Sequence, residues 1–205
     1  MKYNGVSWMY VGPLGFSGVV GGVASTSIAI NGSNNIYVGY ADGNVGNGVT
    51  VRIYNTGTGN WDLVGPQGFA GPANYVSLAI NPITSEPYVL FNDQSNSGKA
   101  AVWRYDTAAG AWVNVGTQGF SSGLASGVSL KFDSTGIAYA GFKDAGIGNK
   151  GTVMKFNGTA WITVGGAGFT PGFVQYDSMT VDSSGRPTFI YSDLSTNLAS
   201  AFKFY

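Results

Sequence analysis

The sequence predicts an all-β chain arranged as a ring of small antiparallel sheets. Three observations predict it. A tryptophan-led segment recurs at nearly constant spacing, the composition is that of short strands and tight turns, and the strands are apolar on both faces.

The recurrence is the first. Trp8, Trp61, Trp112 and Trp161 open the segments WMYVG, WDLVG, WVNVG and WITVG, and their successive spacings are 53, 51 and 49 residues. Self-similarity at this period is the mark of a propeller or a solenoid. A Gly-Phe pair follows each time, at Phe16, Phe69, Phe120 and Phe169. Next comes a short apolar strand: SIAI, VSLAI, VSLKF, SMTV. A second strand ends in Asp42, Asp93, Asp144 and Asp193, and a third reads VRIYN, VWRYD, VMKFN and AFKFY. The following Trp segment supplies a fourth strand. This predicts a β-propeller of four-stranded antiparallel blades in one domain over residues 1–205. Its repeats run 13–64, 65–115, 116–164, and 165–205 plus 1–12.

Composition is the second. The chain holds 33 Gly and 7 Pro with only 10% charged residues, which fits many strands joined by tight turns rather than helices. Its 205 residues are enough for a real core. The third lies in YVLF (88–91) and VWRY (102–105), where neighbours pointing to opposite faces are both large. A sheet with one wet face would alternate. Sheets stacked face to face around an axis are covered on both sides.

In chain order, residues 1–12 hold part of a third strand and a fourth strand, and Gly12–Gly22 is a Gly-rich connection. NGSNN, ADGNVGNG and NTGTGN then link the first full set of strands, with the Gly, Asn and Asp that hairpins require. The pattern recurs through residues 76–116, 127–165 and 178–205. Repeats one and three match most closely, as do two and four. Pro87 and Pro187 precede the second strand in one pair, and Gly39 and Gly141 alternate with Leu90 and Ile190 inside it. That suggests duplication of a two-repeat unit and an even-numbered ring.

The last repeat has three strands. Its fourth is expected from Val6–Gly12, closing the ring with a strand from each terminus. Two closures are open: a four-bladed monomer, or an eight-bladed homodimer whose chains exchange termini. MKYN (1–4) and FKFY (202–205) are repeat-equivalent, so one of them is expected to be displaced. The chain begins in mid-repeat, as a cut inside a longer array or a deliberate permutation would.

Ten basic residues balance ten acidic ones, so no nucleic-acid footprint is present. No basic run suggests an anionic membrane surface, and no apolar run reaches spanning length, so no membrane insertion is expected. Cysteine and histidine are absent, which removes disulfides, thiol chemistry and the usual metal ligand and general base. No cofactor and no metal are expected. The compartment is either cytosolic or, if a leader lies outside this chain, extracellular or cell-surface.

The repeat pattern, with YVLFND, TVMKFNGTAW and the VGxxGFS-type segments, resembles the tandem propeller repeats of bacterial secreted and cell-surface proteins. The likeness covers essentially the whole chain. Some propellers with blades of this size are lectins, such as the tachylectin-like and bacterial fucose-binding ones. No sugar-binding motif of those families stands here to carry over. The regularity also fits an excised or engineered propeller.

Asp42, Asp93, Asp144 and Asp193 are the sharpest repeated polar feature. A carboxylate at a strand end either takes backbone N–H bonds from the next loop or offers equivalent ligand sites on one face of the ring. Trp8, Trp61, Trp112 and Trp161 either pack against a neighbouring sheet or stack sugar rings. Asp42, Gly43, Asn44 and Asn47 could offer oxygens to Ca²⁺, but with one carboxylate and without EF-hand spacing. DTAAGAW and NGTAW resemble the second half of the sialidase Asp-box, yet its leading Ser-x-Asp is missing. Arg52, Arg104 and Arg186 share no repeat position, and Glu86 is the single glutamate. No catalytic residues are therefore expected. An enzymatic reading needs a unique cleft with a perturbed carboxylate, and Asp177 and Asp182 are the acids that depart from the repeat.

The sequence thus points to a non-enzymatic binding module for carbohydrate or surface recognition through repeated weak sites. The alternative is a structural, self-assembling propeller without a ligand. A glycosidase-like enzyme is the third reading.

Overall fold

The computed structural model describes residues 1–18 and 21–205; Val19 and Val20 of the expected Gly12–Gly22 connection lie outside the described residues. The described chain is almost entirely strand and turn. The N-terminus forms a hairpin of β1 (Lys2–Tyr3) and β2 (Trp8–Met9). Unit one follows as β3 (Val23–Ile30), β4 (Ile36–Asp42), β5 (Gly48–Asn55) and β6 (Asn60–Leu63). Unit two holds β7 (Ala70–Ile80), β8 (Pro87–Asp93), β9 (Lys99–Asp106) and β10 (Ala111–Asn114). Unit three holds β11 (Ala125–Phe132), β12 (Ala138–Asp144), β13 (Lys150–Phe156) and β14 (Trp161–Thr163). Unit four holds β15 (Val174–Val181), β16 (Pro187–Asp193) and β17 (Leu198–Lys203).

Within each unit the strands pair antiparallel in sequence order. The turns are made by the residues that prefer them. Asn55, Asp106 and Asn157 each accept two backbone N–H bonds from the residues two and three positions on, which folds β5, β9 and β13 back on themselves. A short bridge between β5 and β7, at Gly48 and Val49 against Pro72 and Ala70, ties unit one to unit two.

The core lies between the units rather than within them. One apolar cluster joins Val49 and Val51 of unit one to Leu78, Val89 and Phe91 of unit two. The next joins Leu90 and Val102 of unit two to Leu130 and Phe142 of unit three. The last joins Tyr139 and Val153 of unit three to Met179 and Phe189 of unit four. Consecutive residues of β8 therefore enter different cores: Val89 and Phe91 one way, Leu90 the other. This is why YVLF is apolar on both parities.

The N-terminal strand does not take the expected place. Trp8 and Met9 pair with Tyr3 and Lys2, so Val6–Gly12 does not complete the C-terminal sheet within this chain. The reason is local. The Asn4 side-chain oxygen accepts the Val6 and Ser7 N–H groups at 2.9 and 2.8 Å and closes a tight turn. A short loop is cheaper to close than one spanning the chain. FKFY keeps the third-strand slot, with Phe204 N–H on the Pro187 carbonyl at 3.0 Å, and MKYN is displaced into the hairpin.

Candidate functional site

The four repeated aspartates are turn caps. Asp42, Asp93, Asp144 and Asp193 are all buried, and each accepts a backbone N–H two residues on: Asn44, Ser95, Gly146 and Ser195, at 2.9–3.0 Å. Inter-unit loops supply further donors, the following loop for Asp42 and Asp93 and the preceding one for Asp144. Gln67 and Gln118 amides reach Asp42 and Asp93, and the Ser122 and Gly123 N–H groups reach Asp144. Burial by itself would raise the Asp42 pKa, but hydrogen bonds from Gln67 and Asn44 outweigh it and hold the carboxyl below its ordinary value. Bonds from the Ser195 hydroxyl and N–H lower Asp193 in the same way. These carboxylates are already engaged by protein donors.

Trp112 and Trp161 clasp the seams between units, and Trp61 clasps the N-terminal segment onto unit one in the same way. Trp61, Trp112 and Trp161 are buried, and their indole N–H groups donate to the Val11, Val64 and Val115 carbonyls at 2.9, 2.7 and 2.8 Å. Each lies flat on the Phe of a Gly-Phe pair: Phe16, Phe69 and Phe120, with ring centroids 4.8, 4.0 and 4.6 Å apart. The approach explains the glycine of WxxVG. A Cβ on Gly65 would sit 2.9 Å from the Trp112 ring, and the backbone there has φ +72°. Trp8 is different: it is 67% exposed and touches Tyr3 of its own hairpin.

The polar site lies elsewhere, at the bulges of the first strand of each unit. β3, β7, β11 and β15 each shift register near their start, between Ala24 and Ser27, Ala73 and Val76, Ser126 and Ser129, and Gln175 and Ser178. Bulges re-aim side chains and gather at functional sites. Thr26, Val76 and Val128 occupy one position after the bulge, and Asp177 occupies it in unit four. A carboxyl therefore stands where the other repeats place an uncharged β-branched residue.

Asp177 lines a cavity of about 240 Å³ with Tyr75, Ser126, Lys143, Gln175 and Tyr176. Three successive units contribute through β7, β11, β12 and β15. Gly127, at φ +61°, leaves the space: a Cβ there would collide with the Asp177 carboxylate. Two buried polar atoms of this cavity, Asp177 Oδ2 and Ser126 Oγ, have no hydrogen-bond partner among the described residues. Ser126 is only 5% exposed. Such groups are costly unless something satisfies them. Burial pushes the Asp177 carboxyl up to about 7, opposed by its own backbone N–H and by the Lys143 ammonium. At the rim, Tyr176 is 87% exposed and Tyr75 40%.

Asp182, the other acid expected to depart from the repeat, does not: it takes the turn position of Asp133, one side-chain oxygen of each accepting the N–H groups two and four residues on, and it also belongs to a surface network. Backbone N–H bonds from Arg186 and Ser184, with Lys203 and Arg186 side chains at 3.2 and 3.0 Å, hold it down at about 2. It does not line the cavity. Glu86 is paired with Arg104 at 3.2 Å.

The sequence singles out Asp177 and misses its companions. The same comparison of repeats finds one of them: Lys143 pairs with Ser126 where Ala41 pairs with Ala24. The convergence of three units on one cavity has no sequence signal.

No family model matches the sequence, and no curated protein matches it. Solved structures do resemble the fold. A fucose-specific lectin from Aleuria aurantia superimposes with TM-score 0.63 at 12% identity over 89% of this chain and 58% of that one. A Hadza microbial sialidase gives 0.59 at 10% identity, over 89% and 44%. An α-L-arabinanase from Penicillium chrysogenum gives 0.58 at 11% identity, over 91% and 63%. The chain spans about half to two thirds of the length of these proteins. They are β-propellers, and the likeness places this chain in the class of propeller-type all-β proteins.

Proposed function

We propose that this protein is a non-enzymatic carbohydrate-binding module whose four units are propeller blades. The ligand is a neutral sugar seated in the Asp177 cavity. The observation that carries this reading is the pair of buried, unpartnered atoms, Asp177 Oδ2 and Ser126 Oγ, lining one cavity beneath exposed tyrosines. Sugar hydroxyls both donate and accept, so they suit a carboxyl, a hydroxyl and the Gln175 amide together. Tyr176 and Tyr75 offer flat faces to the apolar C–H surface of a pyranose. The fold-level likeness to a fucose-specific lectin agrees with it.

The reading moves binding from the repeated turns to one unique cavity. A single carboxylate lines it, whereas two-carboxylate glycoside hydrolysis needs a pair on either side of the bond. This favours recognition over hydrolysis.

A glycan array, run with Ca²⁺ and with EDTA, tests the proposal, followed by calorimetry on the best sugar. Binding independent of the chelator is expected, with loss of more than tenfold in affinity in Tyr176→Ala and Asp177→Ala. A silent array, or unchanged affinity in both variants, overturns the assignment. Release of reducing sugar that disappears in Asp177→Asn would replace the binding module by a hydrolase.

A further inference from the structure

Each internal junction between units repeats the same contacts. The backbone N–H of Leu78 donates to Ser27 Oγ at 2.9 Å, that of Leu130 to Ser77 at 3.0 Å, and that of Met179 to Ser129 at 3.3 Å. The three donors' side chains are 4%, 0% and 3% exposed. At the first two of these junctions a tryptophan of the later unit, Trp112 or Trp161, also lies on a Gly-Phe phenylalanine and donates to a Val carbonyl of the earlier one; the junction of units three and four lacks that contact among the described residues.

The two outer faces carry the two halves of a further junction, unmade. Ile28 stands where Leu78, Leu130 and Met179 stand, yet is 66% exposed. Ser178 stands where Ser27, Ser77 and Ser129 stand, and is exposed. Ile190 occupies the place of Leu90, which is fully buried against unit three, and is 50% exposed. At the internal junction of units three and four, Phe169 meets Phe189, Phe202 and Phe204 edge-on, with no tryptophan stacked on it among the described residues. Trp8, alone of the four repeated tryptophans, is exposed. Its hairpin hangs beside Ile28 and Ile30 over a groove of about 890 Å³.

We propose that the free face of unit one docks on the free face of unit four of a second copy of this chain. The junction continues the three internal ones. Ile28 N–H meets Ser178 Oγ of the second copy, Ile28 packs on its Ile190, and Trp8 stacks on its Phe169 while donating to its Val164 carbonyl. The N-terminal strand then supplies the fourth strand that unit four lacks. The contact is head-to-tail, since the two faces differ, so copies join in a closed ring where the rotation permits it. The occupant is this chain because each missing donor at one end has its acceptor at the other, in the order the internal junctions use.

The test is the solution mass of the 205-residue chain by light scattering at micromolar concentration. Wild type is expected at a whole multiple, two or more, of 21.3 kDa. Ile28→Asp and Ile190→Asp are each expected at the single-chain mass. Both positions are exposed in one chain, so near-ultraviolet circular dichroism should show the fold intact. Mixing the two variants should restore a two-chain species, because each keeps one sound face of the junction. A single-chain wild type, variants that assemble as wild type does, or a mixture that stays single overturns the proposal. The readout needs no sugar and is independent of the cavity.

Discussion

Replacing Asp177 by Asn removes a buried charge while keeping the side chain's shape. An ordinary aspartate ionises near 3.8, and Asp177 at about 7. Between those values the folded chain holds a proton that the unfolded chain has released. Stability therefore falls as pH rises through this window and is flat on either side of it. One pKa unit is worth about 1.4 kcal/mol, so ionised Asp177 costs the fold at most about 4 kcal/mol above neutrality. The amide of the Asp177→Asn variant never ionises. The variant should match wild type within about 1 kcal/mol near pH 4, where both side chains are neutral in the folded chain. Near pH 8 it should be the more stable by about 2–4 kcal/mol, which for a chain of this length raises Tm by about 5–15 °C. Urea unfolding followed by tryptophan fluorescence at about pH 4.5, 6 and 8 measures it. A stability difference that is the same at all three values would show that Asp177 ionises normally, and the cavity would lose its unusual acid.

Two further outcomes follow from the scaffold. Trp112→Phe keeps the ring on Phe69 but leaves the Val64 carbonyl without its 2.7 Å partner. That should cost about 1–3 kcal/mol in denaturant unfolding, whereas Trp8→Phe in the isolated chain should cost nothing measurable. Asp42 and Asp193 ionise below the ordinary range, so their contribution is present above it and is lost as pH falls through their folded values. Acid unfolding should therefore set in below about pH 4, opposite in sign to the Asp177 limb. Asp42→Asn together with Asp193→Asn should flatten that acid limb, and an unchanged acid midpoint would refute the capping role.

The turns, strands and seams were legible because their signals are local or periodic. The Asp caps need only a loop two residues away, and the WxxVG glycine needs only the next tryptophan, one repeat on. The path of residues 1–12 was not legible. Trp8 opens the same WxxVG segment as Trp61, and the choice between a distant sheet and a local hairpin is made by Asn4 and the short turn it closes. The repeated aspartates invited a ligand reading because a pattern shows recurrence but not which donors are already in place.

By itself the sequence determined the all-β class, most of the strands, the turn chemistry and the apolarity of both sheet faces. It also set Asp177 apart from its repeat, together with Asp182, which the structure returns to the position of Asp133. Only the tertiary structure decided what surrounds the Asp177 carboxyl. Tyr75, Ser126, Lys143 and Tyr176 reach it from three units, separated by up to about a hundred residues of chain. Periodicity records which way a side chain points along its own strand, and the depth of a cavity depends on how neighbouring sheets pack. The same holds for the outer faces. Ile28 and Leu78 read alike, and only the presence of a neighbouring sheet buries one and leaves the other in water.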